Sequence, residues 1–286
     1  MPFATTRASI AAMGTTLTPD MLGAVRGLFD ASQQALARRM PVRAADCAYG
    51  PHERHRLDIY AAPDALHAPV LVFVHGGGFL RGDKGSNAAD GWPNAAVGRM
   101  AAEAGMVGVV INYRLAPDHT WPAGSEDVLA ALDWLAANVA QHGGDPNRIV
   151  LMGTSAGAVH VAGAIRLRPD LAVRGAVLLS GLYGHTPLDP RDMAYYGPQD
   201  RQAERAPGQA LTETAIPLLV AVAEFDPPRF QAEFLGLMQA RLDRHGTMPR
   251  GHVASGHNHY SMAMHLGSED RRLADEILDF VRETCA

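Results

Sequence analysis

The residues of this chain best suited to chemistry lie near its centre, where an apolar run leads into Gly-x-Ser-x-Gly at positions 153–157. The run Ile149–Met152 predicts a buried strand, and the small residues after Ser155 predict a helix. In such a strand–turn–helix, the serine stands on a strained turn that exposes its hydroxyl. The flanking glycines leave room for neighbouring backbone. The pattern predicts that Ser155 is a nucleophile for acyl transfer.

A second loop, His75-Gly76-Gly77-Gly78-Phe79, follows the apolar run Val70–Val74. Acyl transfer places negative charge on the carbonyl oxygen, and each backbone N–H that binds this oxyanion lowers the barrier by about 2.7–4 kcal/mol. Three successive glycines allow the backbone to approach a substrate closely. We predict that the N–H groups of Gly77, Gly78 and Ala156 form this oxyanion hole. A merely flexible turn is the alternative, which the nearby serine motif disfavours.

A serine nucleophile needs a general base, and the base needs an acid that fixes its tautomer. Two carboxylates, Glu224 and Asp226, follow the predicted strand Pro217–Val222. Asp226 lies in the loop beyond the strand and precedes a proline, which favours an extended backbone there. We therefore favour Asp226 as the acid, with Glu224 as the alternative.

Two histidines are candidates for the general base. His257 and His259 lie between a predicted strand at Gly251–Ala254 and a predicted helix. We favour His259 as the base and expect His257 to line the substrate pocket or to hold the loop. Paired histidines could also bind a metal, but no carboxylate or cysteine at suitable spacing completes a ligand set. We therefore expect no metal.

Several aromatic side chains are candidates for a pocket that holds the acyl or alcohol part of a substrate, with core packing as the alternative for each. They are Phe79, Trp92, Tyr183, Tyr195 and Tyr196. Among the other histidines, His75 is expected to hold the glycine loop by a hydrogen bond. His160 is expected to pack inside, and His55 to lie at the surface or in a turn.

The elements that must position these residues alternate along the chain. Apolar runs predict strands at 57–60, 70–74, 106–112, 149–152, 174–179 and 217–222. Helical spacing is found at 125–141, with Ser125 as a cap, and at 230–245 and 270–284. An amphipathic helix over Thr18–Met40 precedes them, with Thr18 as its N-cap. The alternation predicts an α/β fold with a mostly parallel central sheet flanked by helices.

The whole chain, 1–286, is predicted to form a single domain. Residues 1–45 form a small N-terminal helical cap segment in this prediction, although 1–17 are expected to be irregular. The stretch 185–212, rich in Pro, Gly, Arg and Tyr, is predicted to be a lid or pocket segment. Both are expected to lie over the mouth of the site.

Composition excludes several function classes. The net charge is −5, without a basic stripe for nucleic acid. No stretch reaches the roughly 18 apolar residues that a membrane span needs. Cys47 and Cys285 lie far apart without C-x-x-C spacing, so neither a disulfide framework nor a zinc site is expected. We expect a soluble cytoplasmic protein without a cofactor, and with no nucleic-acid or membrane partner.

Taken together, several motifs resemble the hormone-sensitive-lipase-like carboxylesterases of the α/β-hydrolase superfamily. They are HGGGF at 75–79, NYRLAP at 112–117, GDPNRI at 144–149, GTSAG at 153–157 and EFDP at 224–227. The resemblance implies a triad of Ser155, Asp226 and His259, and a homodimer as one oligomeric state. Thr154 replaces the Asp that is usual in that family. The segments SGLY at 180–183 and NHYS at 258–261 look more like kynurenine formamidase-type hydrolases.

These observations predict an enzyme that hydrolyses small to medium acyl esters through an acyl-enzyme intermediate, with a small-molecule ester as its partner. Two alternatives stay open. An amide hydrolase of aryl-formamidase type would use the same residues. A small-molecule receptor built on the same fold is disfavoured, because all three triad residue types follow in the expected order.

Overall fold

The sheet brings the loops that contain the predicted site residues to one edge. The computed structural model describes residues 3–85 and 93–286. Within these ranges the strands form one eight-stranded sheet in the order β1-β2-β4-β3-β5-β6-β7-β8. The strands are β1 Ala44–Ala48, β2 Arg56–Tyr60, β3 Ala68–Val74, β4 Val107–Ile111, β5 Gly144–Thr154, β6 Gly175–Leu179, β7 Leu218–Phe225 and β8 Arg250–Asn258. β1 and β2 pair in antiparallel fashion, and β2 is antiparallel to β4, whereas all other pairs are parallel. The predicted α/β-hydrolase fold class is confirmed.

Helices connect the strands. They are α1 Phe3–Ala12, α2 Pro19–Arg39, α3 Ala95–Glu103, α4 Ala123–Asn138, α5 Ala156–Leu167, α6 Pro190–Tyr196, α7 Gln202–Arg205, α8 Gly208–Glu213, α9 Pro228–His245, α10 Ser261–Met264 and α11 Arg272–Thr284. Short 3-10 turns cover Val139–His142 and Gln199–Arg201. No helix in the described ranges has both the length and the hydropathy that crossing a bilayer requires.

The central strands are apolar on both faces because helices cover both faces of the sheet. Strands β3 to β7 are buried along most of their length, and two large apolar clusters lie on opposite sides of them. Val74, the last residue of β3, pairs with Gly153 of β5. This register places the loop after β3 beside the loop after β5. The glycine loop and Ser155 are therefore neighbours, as parallel pairing requires.

The N-terminal segment is helical from its first described residues. The α2 helix confirms the predicted one: Thr18 caps it, and the Thr18 Oγ1 accepts a hydrogen bond from the Met21 N–H at 3.1 Å. The expectation of an irregular stretch over 1–17 is wrong for 3–12, which form α1. Both helices bury apolar residues against the α10 region, with Ile10 and Phe29 close to Met264.

The cap prediction at the start of α4 is also wrong. The helix begins at Ala123, two residues before Ser125, whose side chain lies buried inside the helix rather than at its end. The stretch 185–212, which showed no clear period, contains the short helices α6, α7 and α8. Its role as a lid stays a prediction.

Candidate active site

Ser155 stands on a tight turn between β5 and α5. Its φ of +52° lies in the left-handed region that side chains rarely adopt, and its N–H donates to the Leu179 carbonyl oxygen at 2.8 Å. A Cβ on Gly157 would overlap the carbonyl oxygen of Val74, so this position requires glycine. The close passage of α5 against β3 therefore fixes a strained serine at the carboxyl end of the sheet.

Three predicted residues form one hydrogen-bonded chain. The His259 Nε2 lies 2.9 Å from the Ser155 Oγ, and the His259 Nδ1 lies 2.7 Å from the Asp226 Oδ1. Asp226 follows β7 and His259 follows β8, two neighbouring strands. With its proton on Nδ1, the imidazole donates to the carboxylate and accepts the serine hydroxyl proton at Nε2. The geometry suits general-base activation of the serine.

The second oxygen of Asp226 is held by groups that sequence reasoning missed. The Ser180 hydroxyl donates to the Asp226 Oδ2 at 2.6 Å, and the Ala223 N–H donates to the same oxygen at 2.8 Å. Ser180 and Asp226 are both buried. Ser180 directly follows β6, between the strands that lead to Ser155 and Asp226. That position at a strand end is the signal that could have identified it.

The alternative acid, Glu224, lies elsewhere. Its carboxylate accepts hydrogen bonds from the Gly256 N–H at 2.7 Å and the Ser255 hydroxyl at 3.0 Å, and it pairs with Arg7 of α1. The hydrogen bond from the Gly256 N–H lowers the pKa of Glu224, because it outweighs the partial burial that would raise this pKa. Glu224 thus ties β7, β8 and α1 together and makes no hydrogen bond to His259.

The glycine loop adopts conformations that need glycine. Gly77 has a φ of +140°, and a Cβ there would overlap the Arg81 carbonyl oxygen. Gly78 has a φ of +60°, and it has space for a Cβ. Ala156 is the first residue of α5, so its N–H lacks a helical acceptor and lies at the positive end of the helix dipole. These three N–H groups remain the predicted oxyanion donors.

The His75 side chain forms a hydrogen bond within this loop. The His75 Nδ1 lies 2.8 Å from the Gly76 carbonyl oxygen, and the His75 carbonyl oxygen accepts a hydrogen bond from the Tyr113 hydroxyl at 2.8 Å. The two rings stack with their centroids 4.5 Å apart. Burial lowers the pKa of His75 to about 4, so its ring is neutral at pH 7.

His257 contacts other partners than the triad. The His257 Nδ1 lies 3.1 Å from the Ser261 Oγ, and the His257 Nε2 lies 3.2 Å from Asp270. Its ring stacks on His265 with centroids 3.8 Å apart. Ser261 also accepts a hydrogen bond from the Asn258 N–H at 2.9 Å. The contacts of His257 therefore correspond to the expectation that it holds the loop, not to the expectation that it lines the pocket.

The predicted pocket aromatics separate into two groups. Phe79, Tyr195 and Tyr196 pack with Ala156 in one buried cluster beside the serine. Tyr183 lies in the main core with Leu211 and other apolar residues, so its assignment to the pocket is not supported by its contacts. Trp92 lies outside the described residues. Trp121, which sequence reasoning did not select, stacks on Tyr196 with centroids 6.0 Å apart.

The two other histidines have different outcomes. His160 is buried on α5 as expected, and burial together with the nearby His75 lowers its pKa to about 3. His55 lies at a turn, where its N–H donates to the His52 carbonyl oxygen at 2.9 Å, but it does not lie at the surface. It is buried, and its Nε2 lies 3.0 Å from the Asp127 carboxylate.

Helix α9 connects the loop that contains Asp226 to the predicted lid at 185–212. Phe230, in its first turn, packs on the His259 ring with centroids 4.2 Å apart. Arg229 pairs with Asp189 at 2.5 Å and with Asp192 at 2.6 Å, on and beside α6. The buried Glu233 carboxylate accepts hydrogen bonds from four successive backbone N–H groups, those of 183–186, at 2.7–3.1 Å. One helix thus contacts the imidazole and holds the chain that leads to Tyr196.

Comparison with known proteins identifies a family. The family model described as "alpha/beta hydrolase fold" matches residues 71–262. The chain is 33% identical to carboxylesterase NlhH of Mycobacterium tuberculosis over 218 residues, which is 65% of this chain and 66% of that relative. It is 43% identical to phenmedipham hydrolase of Pseudarthrobacter oxydans over 108 residues, 35% of this chain but only 20% of the relative's length.

A solved structure is similar over almost the whole chain. The hyperthermophilic esterase from the archaeon Pyrobaculum calidifontis superposes with a TM-score of 0.68 at 25% identity. The match covers 93% of this chain and 94% of that one. The structural match therefore extends beyond residues 71–262, the part of the chain that the family model covers.

Proposed function

The chain belongs to the alpha/beta hydrolase fold family, and on that premise we propose that it is a serine carboxylesterase acting on small to medium acyl esters. The observation that carries the proposal is the chain of hydrogen-bond distances from the Ser155 Oγ through His259 to Asp226, 2.9 Å and 2.7 Å. The names of its relatives, which include a carboxylesterase and an esterase, support ester chemistry.

In the proposed mechanism, the Ser155 Oγ attacks the ester carbonyl carbon while the His259 Nε2 takes the hydroxyl proton. The tetrahedral intermediate then collapses, the bond to the alcohol oxygen breaks, and His259 gives its proton to the departing alcohol. A water molecule attacks the acyl-serine in the second half, again losing its proton to His259. The acid leaves, and Ser155 regains its proton.

Asp226 orients the imidazole and stabilises its protonated form. The Asp226 carboxylate is buried, and donors from Ser180 and Ala223 hold one oxygen while the other faces His259. In a site from which water is excluded, such a fixed charge acts more strongly on the imidazolium than it would in water. The N–H groups of Gly77, Gly78 and Ala156 complete the proposal by binding the oxyanion.

The direct test is Ser155→Ala with p-nitrophenyl acetate and butanoate as substrates. Loss of the nucleophile is expected to lower kcat by about 10⁴-fold or more. Ser255→Ala, an exposed serine that contacts Glu224, is the matched control and should keep wild-type turnover. Turnover by Ser155→Ala at the wild-type rate would contradict the proposal.

Labelling provides an independent test of the covalent step. A fluorophosphonate probe is expected to add one equivalent to the wild type, with the mass increase located on the peptide that contains Ser155. His259→Ala should label far more slowly, because the serine then lacks its base. Labelling on another residue would contradict the assignment of Ser155.

A further inference from the structure

An aromatic wall, defined as Phe79, Trp121, Tyr195 and Tyr196, adjoins the nucleophile. The Phe79 and Tyr195 rings lie parallel, with an interplanar angle of 4° and centroids 4.5 Å apart. Tyr196 packs edge-on against Phe79 at 5.9 Å and stacks on Trp121 at 6.0 Å. Phe79, Tyr195 and Tyr196 share one cluster with Ala156, the residue that follows the serine. The wall therefore packs on the residue next to the nucleophile.

The wall lies on the oxyanion side of the serine. Phe79 directly follows the glycine loop, and Ala156 is the third predicted oxyanion donor. The rings that pack on His259 are Phe230 at 4.2 Å and Tyr260 at 6.1 Å, and Phe230 also belongs to the cluster that contains the wall. Because His259 protonates the departing alcohol in the proposed mechanism, the alcohol lies towards the imidazole. The acyl group then lies towards the wall.

A small cavity lies at the predicted lid, next to Tyr196. Its volume is about 10 Å³, enough for about one water molecule. Tyr196 lines it together with Leu182, Leu188, Thr186 and Gln202. Leu182 and Leu188 also contact the cluster that contains Ala156. The Tyr196 ring thus belongs both to the wall and to the lining of the cavity.

The backbone that carries Tyr196 is firmly held. Arg229 pairs with Asp189 and Asp192, which form the capping box of α6. The Arg205 guanidinium donates to the Tyr196 carbonyl oxygen. Glu233 holds the chain at 183–186. Because this segment is tied at both ends, widening the pocket requires a smaller side chain rather than movement of the helix.

We infer that Tyr196 is the specificity-determining residue that sets the upper length of the acyl group, and that it restricts the site to esters of short acids, from acetate to butanoate. The inference rests on the proposed function. Replacement of the ring by a small side chain joins the space beside Ser155 to the cavity at the lid. Longer unbranched acyl chains then fit.

The test compares kcat/KM for p-nitrophenyl octanoate with that for the butanoate in wild type, Tyr196→Ala, Tyr196→Leu and Tyr196→Phe. Each methylene that a pocket accepts or rejects changes kcat/KM by about tenfold or more. The octanoate-to-butanoate ratio is therefore expected to rise at least about tenfold in Tyr196→Ala and less in Tyr196→Leu. Tyr196→Phe, which keeps the ring, is the matched control and should retain the wild-type ratio. Thermal unfolding of each variant shows whether it is folded.

A folded Tyr196→Ala or Tyr196→Leu with the wild-type ratio would overturn the inference, as would an equal rise in Tyr196→Phe. If Tyr196→Ala does not fold, Tyr196→Leu decides. A parallel series of acetate esters, from ethyl to octyl acetate, varies only the alcohol. It tests whether Tyr196 limits the acyl group or the alcohol group. A change confined to that series would overturn the acyl assignment. Failure of the wild type to hydrolyse any ester, without label on Ser155, would instead contradict the proposed function itself.

Discussion

Removal of the Ser180 hydroxyl should weaken catalysis without affecting substrate binding. Ser180 donates to the Asp226 Oδ2 at 2.6 Å, while the other carboxylate oxygen faces His259. Alanine keeps the Cβ, so the cost of the left-handed backbone at φ +47° is unchanged. Ser180→Ala therefore changes one buried hydrogen bond and little else.

The size of the effect follows from that bond. A hydrogen bond to a charged group contributes about 1.5–3 kcal/mol. The Ala223 N–H still holds the same carboxylate oxygen at 2.8 Å, so the lower end of this range applies. Since about 1.4 kcal/mol corresponds to a factor of ten, kcat should fall about tenfold. KM should stay unchanged, because Ser180 acts through Asp226 and is itself buried.

Steady-state kinetics with p-nitrophenyl butanoate measure both constants. Ser255→Ala is the matched control, since it removes a similar serine–carboxylate bond of 3.0 Å at Glu224. A double-mutant cycle with Asp226→Ala tests the route of the effect, because Ser180→Ala should add little once the carboxylate is gone. Wild-type kcat in Ser180→Ala, or the same tenfold loss in the Asp226→Ala background, would refute the reasoning.

Other substitutions separate further contributions. A Cβ at Gly77 overlaps the Arg81 carbonyl oxygen, whereas one at Gly78 meets nothing within 4 Å. Gly78→Ala should therefore lower the free energy of unfolding in urea by only about 1–2 kcal/mol, and Gly77→Ala should lower it clearly more. Equal urea midpoints for the two variants would contradict this. Glu233→Gln places an amide N–H₂ group among backbone N–H donors, so limited proteolysis within 185–212 should become faster. The control Glu213→Gln changes an exposed residue and should leave the cleavage rate unchanged. A wild-type cleavage rate in Glu233→Gln would count against this role of Glu233. Burial lowers the pKa of His160 to about 3 in the folded state, below the 6.5 of an unfolded histidine. The unfolded chain therefore binds a proton at a higher pH than the folded chain does. As a result, the free energy of unfolding falls as the pH drops from about 6.5 towards 3. His160→Leu should flatten the curve of urea midpoint against pH in that window, and a parallel curve would disprove the assignment.

Local sequence patterns were sufficient to predict most of the strands and the loops of the candidate site. Apolar runs mark buried strands, and the motifs at Ser155 and Gly77 require particular backbone shapes. The candidates that proved hard to assign depend on packing. Tyr183 and Tyr196 are both fully buried tyrosines, and only the tertiary contacts place one in the core and the other beside the serine.

The irregular parts of the chain show why the rest could not be predicted. Between the pairs Ala223↔Ala254 and Phe225↔Asn258, β7 advances two residues while β8 advances four. The strand also ends at Asn258, so its two-residue alternation does not relate His257 to His259. Helix α1 and strand β1 consist largely of small residues, so neither shows a clear apolar period. Ser180 meets its partner 46 residues away, which no local pattern reveals.

The arrangement around helix α9 constrains how this protein can change. The same two turns of helix touch the imidazole through Phe230 and grip the segment carrying Tyr196 through Arg229 and Glu233. Any rearrangement that shifted this helix would also move the Phe230 ring that packs on His259. New substrate preferences are therefore more accessible to evolution, and to engineering, by exchange of individual side chains than by remodelling of loops.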